Sequence, residues 1–200
     1  MNTINPFSRP LYVMLKPVGA ACNLRCHYCY YLEKACLYKD SSKRVLSEEM
    51  LDQFTKEYIE AQTMNDVLFT WHGGEPLMRP LSFYRKALEL QKKYGRGRNI
   101  SNVIQTNGTL LTDEWCRFLH ENNWLVGVSI DGPQEFHDEY RRTASGGPSW
   151  AKVMRGIQLL NKHHVEWNAM AVVNDFNADY PLDFYHFFKE MGCRFIQITP

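Results

Sequence analysis

Three cysteines, Cys22, Cys26 and Cys29, sit within the stretch CNLRCHYCY. Thiolates at this spacing can wrap three corners of a cubane iron–sulfur cluster and leave the fourth iron without a protein ligand. A structural or electron-transfer cluster usually takes four cysteines, so a tight triad suggests an open site where a small molecule can chelate and be reduced. Zinc is the alternative, with Cys36 or His27 as a fourth ligand, but zinc knuckles normally come as two separated pairs. A disulfide is disfavoured because nothing marks the chain as secreted. Cys116, in the helical pattern WCRFL, and Cys193, at the opening of an apolar strand, read as buried thiols.

A second group of residues offers backbone and a carboxylate. In His72-Gly73-Gly74-Glu75-Pro76 the glycines let the main chain approach a ligand closely, and Glu75 adds an acceptor beside them. Together they form an acceptor nest suited to an ammonium group; the alternative is a turn in which glycine permits the geometry and proline ends the strand. Thr106 and Asn107 face a ligand or simply form an Asn-Gly turn. The pair Tyr30–Tyr31 walls a cavity or packs in the core.

These groups need elements that carry them to one place. Short apolar runs at Leu11–Pro17, Asp66–His72, Asn102–Thr106, Leu125–Ile130, Trp167–Val173 and Arg194–Thr199 read as strands. Amphipathic stretches between them read as helices: one capped by Ser47, then Leu81–Tyr94, Asp113–Glu121 capped by Thr112, Trp150–His163, and Pro181–Met191 closing on Gly192. Alternating strands and helices predict a parallel sheet with helices outside, since parallel neighbours need crossover helices. Right-handed crossovers curl it into a partial (β/α)6 barrel, an α/β fold laterally open because a closed eight-fold barrel takes about 250 residues. Chemistry in such folds collects at the C-terminal strand ends. Here those ends carry the cysteine loop, the GGEP turn, Gln105-Thr106-Asn107-Gly108 and Ser129-Ile130-Asp131-Gly132-Pro133.

Charge and hydropathy exclude other classes. With 23 basic and 22 acidic residues the net charge is +1, so no overall field recruits nucleic acid or an anionic membrane. The local run Lys92, Lys93, Arg96 and Arg98 falls where a helix ends and complements its dipole. No apolar stretch spans a bilayer, and the N-terminus lacks the apolar region of a secretory signal, so the expected location is the cytoplasm. The pair His163–His164 reads as a polar helix end, and Phe184, Tyr185, Phe187 and Phe188 as helix packing.

With Tyr28 one residue before the last cysteine, the triad resembles the CxxxCxΦC pattern of the radical S-adenosylmethionine (SAM) enzymes, where Φ is an aromatic residue. The segments CNLRCHYCYYLEK, WHGGEPL, QTNGTLLTDEW and VGVSIDGPQEFHDEYRR, in this order, resemble the anaerobic sulfatase-maturating enzymes from about Tyr12 to the last residue. The resemblance implies that Cys22, Cys26 and Cys29 hold a [4Fe–4S] cluster. It implies that Tyr28, Gly73, Ser129 and Arg141 contact SAM, with Gly74 and Glu75 completing the amino-group nest. The methionyl carboxylate needs donors: Ser129 at a strand tip and Arg141 in the following loop (HDEYRR) are the candidates, since guanidinium binds carboxylate with two parallel hydrogen bonds. Arg142 is the alternative to Arg141, and the competing reading for either arginine is an ion pair with Asp138 or Glu139.

The implied activity is oxidation of a cysteine or serine in an unfolded sulfatase polypeptide to Cα-formylglycine through a 5′-deoxyadenosyl radical, with a low-potential electron donor as a further partner. The resemblance also implies that residues 1–200 are the radical SAM core domain, and that a cysteine-rich SPASM domain, its auxiliary clusters and the substrate base belong beyond Pro200. Two rivals stand: another SPASM-type enzyme that modifies a peptide, and a non-catalytic iron–sulfur or zinc module.

Overall fold

Six strands pair side by side, all parallel, in the order of the chain. The structure, a computed structural model, describes residues 10–34 and 45–200. The strands are β1 (Met14–Leu15), β2 (Asp66–Trp71), β3 (Asn99–Thr106), β4 (Leu125–Ser129), β5 (Trp167–Val172) and β6 (Ile196–Thr199). Between them run α1 (Tyr31–Lys34), α2 (Glu48–Ala61), α3 (Leu81–Gly95), α4 (Asp113–Glu121), α5 (Gln134–Tyr140), α6 (Trp150–Lys162) and α7 (Pro181–Glu190). The sheet is unclosed, as the strand and helix count predicts: β1 and β6 are its two edges.

The caps expected from sequence form. Ser47 Oγ accepts from Met50 N at 3.2 Å to open α2, and Thr112 Oγ1 accepts from Trp115 N at 3.2 Å to open α4. Lys92 and Lys93 occupy the last turn of α3, whose C-cap Arg96 is left-handed at φ 45°.

Alternation along each strand divides the sheet into two faces. Val67, Phe69 and Trp71 of β2, Ile104 of β3, Val126 and Val128 of β4, and Ala169 and Ala171 of β5 are buried against the helices. Trp71 stacks on Trp124 at 6.0 Å and meets Phe83 and Tyr84 edge-on, which makes this outer layer the main core. A buried polar cluster there is internally paired: Asn102 Oδ1 accepts from Trp71 Nε1 and Gln91 Nε2, both at 2.9 Å.

The opposite, concave face carries Met14, Gln105, Met170, Val172, Gln197 and Thr199, which line an open cavity.

Element edges differ from the sequence reading for local reasons. The first strand pairs over only two residues, because the Leu11 carbonyl accepts from the Tyr58 hydroxyl and Gln62 Nε2, both at 2.9 Å, instead of joining the ladder. β3 begins at Asn99, three residues earlier than expected, because its polar start pairs in register with Asp66 to Leu68. The segment read as a loop, HDEYRR, is mostly the short helix α5, with Arg141 as its C-cap. Cys116 is buried as expected, but Cys193 is only half-buried in a turn before β6, its thiol donating to the Phe195 carbonyl at 3.2 Å. Cys36 lies outside the described residues.

Candidate active site

The cysteine loop is held in shape by backbone hydrogen bonds from two directions. On one side Gly74 N donates to Gly19 O and Glu75 N to Ala21 O, each at 2.8 Å. On the other, Arg25 N donates to Arg142 O at 2.8 Å and His27 N to Tyr140 O at 2.9 Å. The first contact explains the glycines. A Cβ on Gly73, whose φ is +110°, would come within 2.8 Å of Gly19 O, and one on Gly74 would sit inside the Ala21 carbonyl group.

This loop and the strand ends enclose one cavity of about 640 Å³. Cys22, Cys26, Tyr28 and Cys29 line it from one wall; Gly73, Gly74, Ser129 and Arg141 line it from the sheet. His27 faces away, lining a separate surface hollow with Arg25 and Arg142, so neither His27 nor Arg142 shares the cavity with the triad. The three cysteines are free thiols. Burial pushes Cys22 up to about 11 and raises Cys26 as well, which favours the neutral thiol. Backbone and side-chain donors already face Cys22 Sγ: Leu24 N at 3.3 Å and Asn107 Nδ2 at 3.7 Å. Three thiols opening on one cavity, with N–H groups turned to one sulfur, fit an iron–sulfur cluster.

Arg141 is buried, and its ion partner is neither Asp138 nor Glu139 but Asp131, just beyond β4. Nε donates to Oδ2 at 2.8 Å and Nη2 to Oδ1 at 3.0 Å. Asp131 is fully buried and also accepts from the Tyr28 hydroxyl at 2.5 Å and Val172 N at 2.9 Å. Burial opposes ionisation of Asp131, but the Arg141 charge and these donors outweigh it and hold the carboxyl below its usual range. One carboxylate thus ties together the cysteine loop, the end of α5 and the end of β5. Arg141 also lines the cavity, and its two hydrogen bonds to Asp131 use Nε and Nη2.

Glu75 lies next to the Gly73–Gly74 pair in the chain and serves the turns around it. Its side chain is fully buried beneath the cavity floor, where Oε1 accepts from Leu77 N at 2.9 Å and Thr106 Oγ1 at 2.7 Å, and Oε2 accepts from Asn107 N at 2.7 Å. It clamps the turn after β3 to the turn after β2. Burial lifts its carboxyl to about 7 against these hydrogen bonds. Gly73 and Gly74 line the cavity, and the Glu75 carboxylate is engaged below them.

The family profile of the Radical SAM superfamily matches residues 17–188. The chain belongs to the radical SAM superfamily. It is 73% identical over its whole length to a serine-type anaerobic sulfatase-maturating enzyme of Bacteroides thetaiotaomicron, covering 48% of that protein. To the serine-type enzyme of Klebsiella aerogenes it is 39% identical, over 96% of this chain and 47% of the relative. Among solved structures, native anSMEcpe with bound AdoMet and Cp18Cys peptide superposes with a TM-score of 0.86 at 35% identity, over 95% of this chain and 50% of that one. The chain spans about half the length of the curated relatives it matches.

Within this radical SAM fold, sequence reasoning singled out Tyr28, Gly73, Gly74, Ser129 and Arg141, and the structure brings them to one cavity with the triad. It missed Asp131, which looks like an ordinary turn residue in IDGP; the signal was its place at the end of a strand whose neighbours all carry site groups. Tyr30 and Tyr31 line the cavity mouth, their rings 4.2 Å apart, with Lys16 Nζ 4.7 Å from the Tyr31 ring.

Proposed function

We propose that this chain is the radical-generating portion of an anaerobic sulfatase-maturating enzyme, oxidising a serine or cysteine of an unfolded sulfatase polypeptide to Cα-formylglycine. The observation that carries the reading is the one cavity shared by three free thiols, the Gly73–Gly74 turn, Ser129 and a buried, pre-aligned Arg141. The names of the relatives and the peptide in anSMEcpe support a sulfatase peptide as substrate, and the serine-type names favour testing a serine peptide first.

Cys22, Cys26 and Cys29 would ligate three irons of a [4Fe–4S] cluster. When bound, the cluster and SAM supply a one-electron reductive cleavage whose carbon radical takes a hydrogen atom from the substrate. The chain's own residues bind and orient. The backbone at Gly73 and Gly74 lets the SAM amino group approach main-chain acceptors, while the Ser129 hydroxyl and the Arg141 guanidinium hold its carboxylate. Tyr28, tied to Asp131, keeps the cysteine loop against Arg141. The exposed and half-buried residues of the concave face leave room for an extended peptide at the mouth beside Tyr30 and Tyr31. No helix among the described residues is long and apolar enough to cross a membrane. Cytoplasm is the proposed location because reducing surroundings keep ligand thiols free. A low-potential electron carrier is the proposed second partner.

The test is anaerobic reconstitution with iron and sulfide, followed by SAM, dithionite and a sulfatase peptide. 5′-Deoxyadenosine by chromatography reports SAM cleavage, and peptide mass reports formylglycine. The expected result is SAM cleavage by this chain, with formylglycine requiring the full-length enzyme. A protein that takes up zinc, or binds a cluster without cleaving SAM, defeats the proposal; a crosslinked peptide product moves it to the other peptide-modifying class.

A further inference from the structure

The cavity wall beside Cys22 contains a hydrogen-bond network that the handling of SAM leaves unused. Asn107, 7% exposed, follows β3 directly. Its Nδ2 donates to Asn23 Oδ1 at 2.9 Å and faces Cys22 Sγ at 3.7 Å. Its Oδ1 accepts from Thr109 N at 3.0 Å and from Thr109 Oγ1 at 2.6 Å. A backbone N–H can only donate, so the amide cannot be turned around, and its NH2 group must face the sulfur. Thr109 Oγ1 in turn accepts from Asn23 Nδ2 at 2.8 Å, which closes the ring of Asn23, Asn107 and Thr109.

The backbone of Asn107 is fixed as firmly, because its N–H is held by the buried Glu75 carboxylate at 2.7 Å, beside Thr106. Asn23 Oδ1 lies 4.0 Å from the same sulfur, a contact a thiol makes as donor and a thiolate does not. Once Cys22 is a thiolate, the remaining polar neighbours at that sulfur are the two donors, Leu24 N and Asn107 Nδ2.

Resting on the cluster reading above, we propose that Asn107 is a positioning residue that tunes the cluster's reduction potential through Cys22, with Glu75 and Thr109 holding it in place. Adding an electron to a cluster places more negative charge on its ligand sulfurs. An N–H group facing such a sulfur stabilises the reduced form more than the oxidised one, so it raises the potential. Asn107 makes the cluster easier to reduce. The Glu75 carboxylate of the GGEP turn therefore acts on the cluster from beneath the floor, through the turn after β3.

Redox titration of the anaerobically reconstituted chain, followed by electron paramagnetic resonance without SAM, tests this. Asn107→Leu removes the donor at similar size and no charge, and should move the midpoint to a more negative potential at full iron and sulfide content. Thr109→Val keeps the backbone hydrogen bond to Asn107 Oδ1 but removes the hydroxyl that joins Asn107 to Asn23. The loosened amide should shift the midpoint the same way by less, and Thr109→Ser should restore the wild-type value. A loaded Asn107→Leu protein with the wild-type midpoint overturns the inference. Should that variant fail to load iron, the Thr109 pair decides: equal midpoints for Val and Ser overturn it. Absence of any cluster in the wild-type chain sinks the proposed function as well, which separates the two failures.

Discussion

Arg141 is aligned before any ligand arrives, because Asp131 takes two of its N–H groups and holds the guanidinium in the cavity wall. Removing the side chain outright would strand a buried carboxylate, a loss of about 3–5 kcal/mol in stability. Arg141→Lys keeps the charge but not the two-point grip. It should weaken SAM binding tens-fold or more, as expected where a buried charged contact contributes about 2–5 kcal/mol, while iron content stays normal. Calorimetric titration of SAM checks this, and unchanged affinity would take the carboxylate contact away from Arg141. Replacing Cys22, Cys26 and Cys29 together by alanine should abolish the visible absorption of the reconstituted cluster, and replacing Cys116 and Cys193 should leave it. Equal loss in both sets would remove the ligand assignment. At this scale the sequence reading reached the residues whose type announces a task, such as thiols and paired glycines. Asp131 escaped it, and for Glu75 and Asn107 it found the residues but not their partners, because a carboxylate or amide has many possible partners and only the fold chooses among them.

The elements were legible wherever a strand or helix had an apolar face to bury. The outer faces of β2 and β4 show this, with Val67, Phe69, Trp71, Val126 and Val128 buried at every second position. Where apolar periodicity was weak the reading slipped. The seven residues of α5 bury Phe136 with two polar side chains, His137 and Asp138, which gives no helical stripe to read. The elements also meet at two glycines with different tolerances. Gly74 lies against the Ala21 backbone, which cannot yield, so Gly74→Ala should cost roughly 3 kcal/mol or more and dislodge the cysteine loop. Gly127→Ala, on the concave face, would meet Met170 Cγ at 3.1 Å, and that flexible side chain can move aside for less than about 1 kcal/mol. Thermal unfolding with iron uptake measures both; equal costs would refute the close backbone approach.

For the molecule as a whole, the parallel topology followed from alternation of strands and helices, and the unclosed sheet from their number. A buried imidazole, invisible to that logic, governs acid stability. His137 is fully buried; its Nδ1 accepts from Asp131 N at 3.3 Å, so Nε2–H donates to Ser149 Oγ at 2.9 Å, and Ser149 Oγ donates to Arg141 O at 2.6 Å. Burial first, and then the Arg141 charge, depress its pKa from 6.5 to about 4. The unfolded chain therefore takes up a proton that the folded one refuses. This contribution to stability is complete above about pH 6.5 and disappears as pH falls toward 4, on the order of 3 kcal/mol in all. Glu75, lifted to about 7, slopes the other way between its ordinary pKa and that value, so the variant comparison isolates the histidine. Denaturant titrations at several pH values should show His137→Asn with a flatter acid limb than the wild type. Parallel limbs would contradict the assignment.

Because every strand pairs with its neighbour in sequence, the sheet can assemble in the order in which a ribosome delivers it. The cysteine loop emerges between β1 and β2, ahead of most of the sheet, yet two of its backbone supports are Tyr140 and Arg142, synthesised more than a hundred residues later. Until that segment has left the tunnel the three thiols have no fixed arrangement, and only afterwards does the loop present them together. On the proposed cluster reading, topology alone then places loading late in biosynthesis. Nascent chains stalled before Tyr140 should take up no stable cluster, whereas those exposing the segment through Thr143 should; uptake by the shorter chains would show that the triad organises itself.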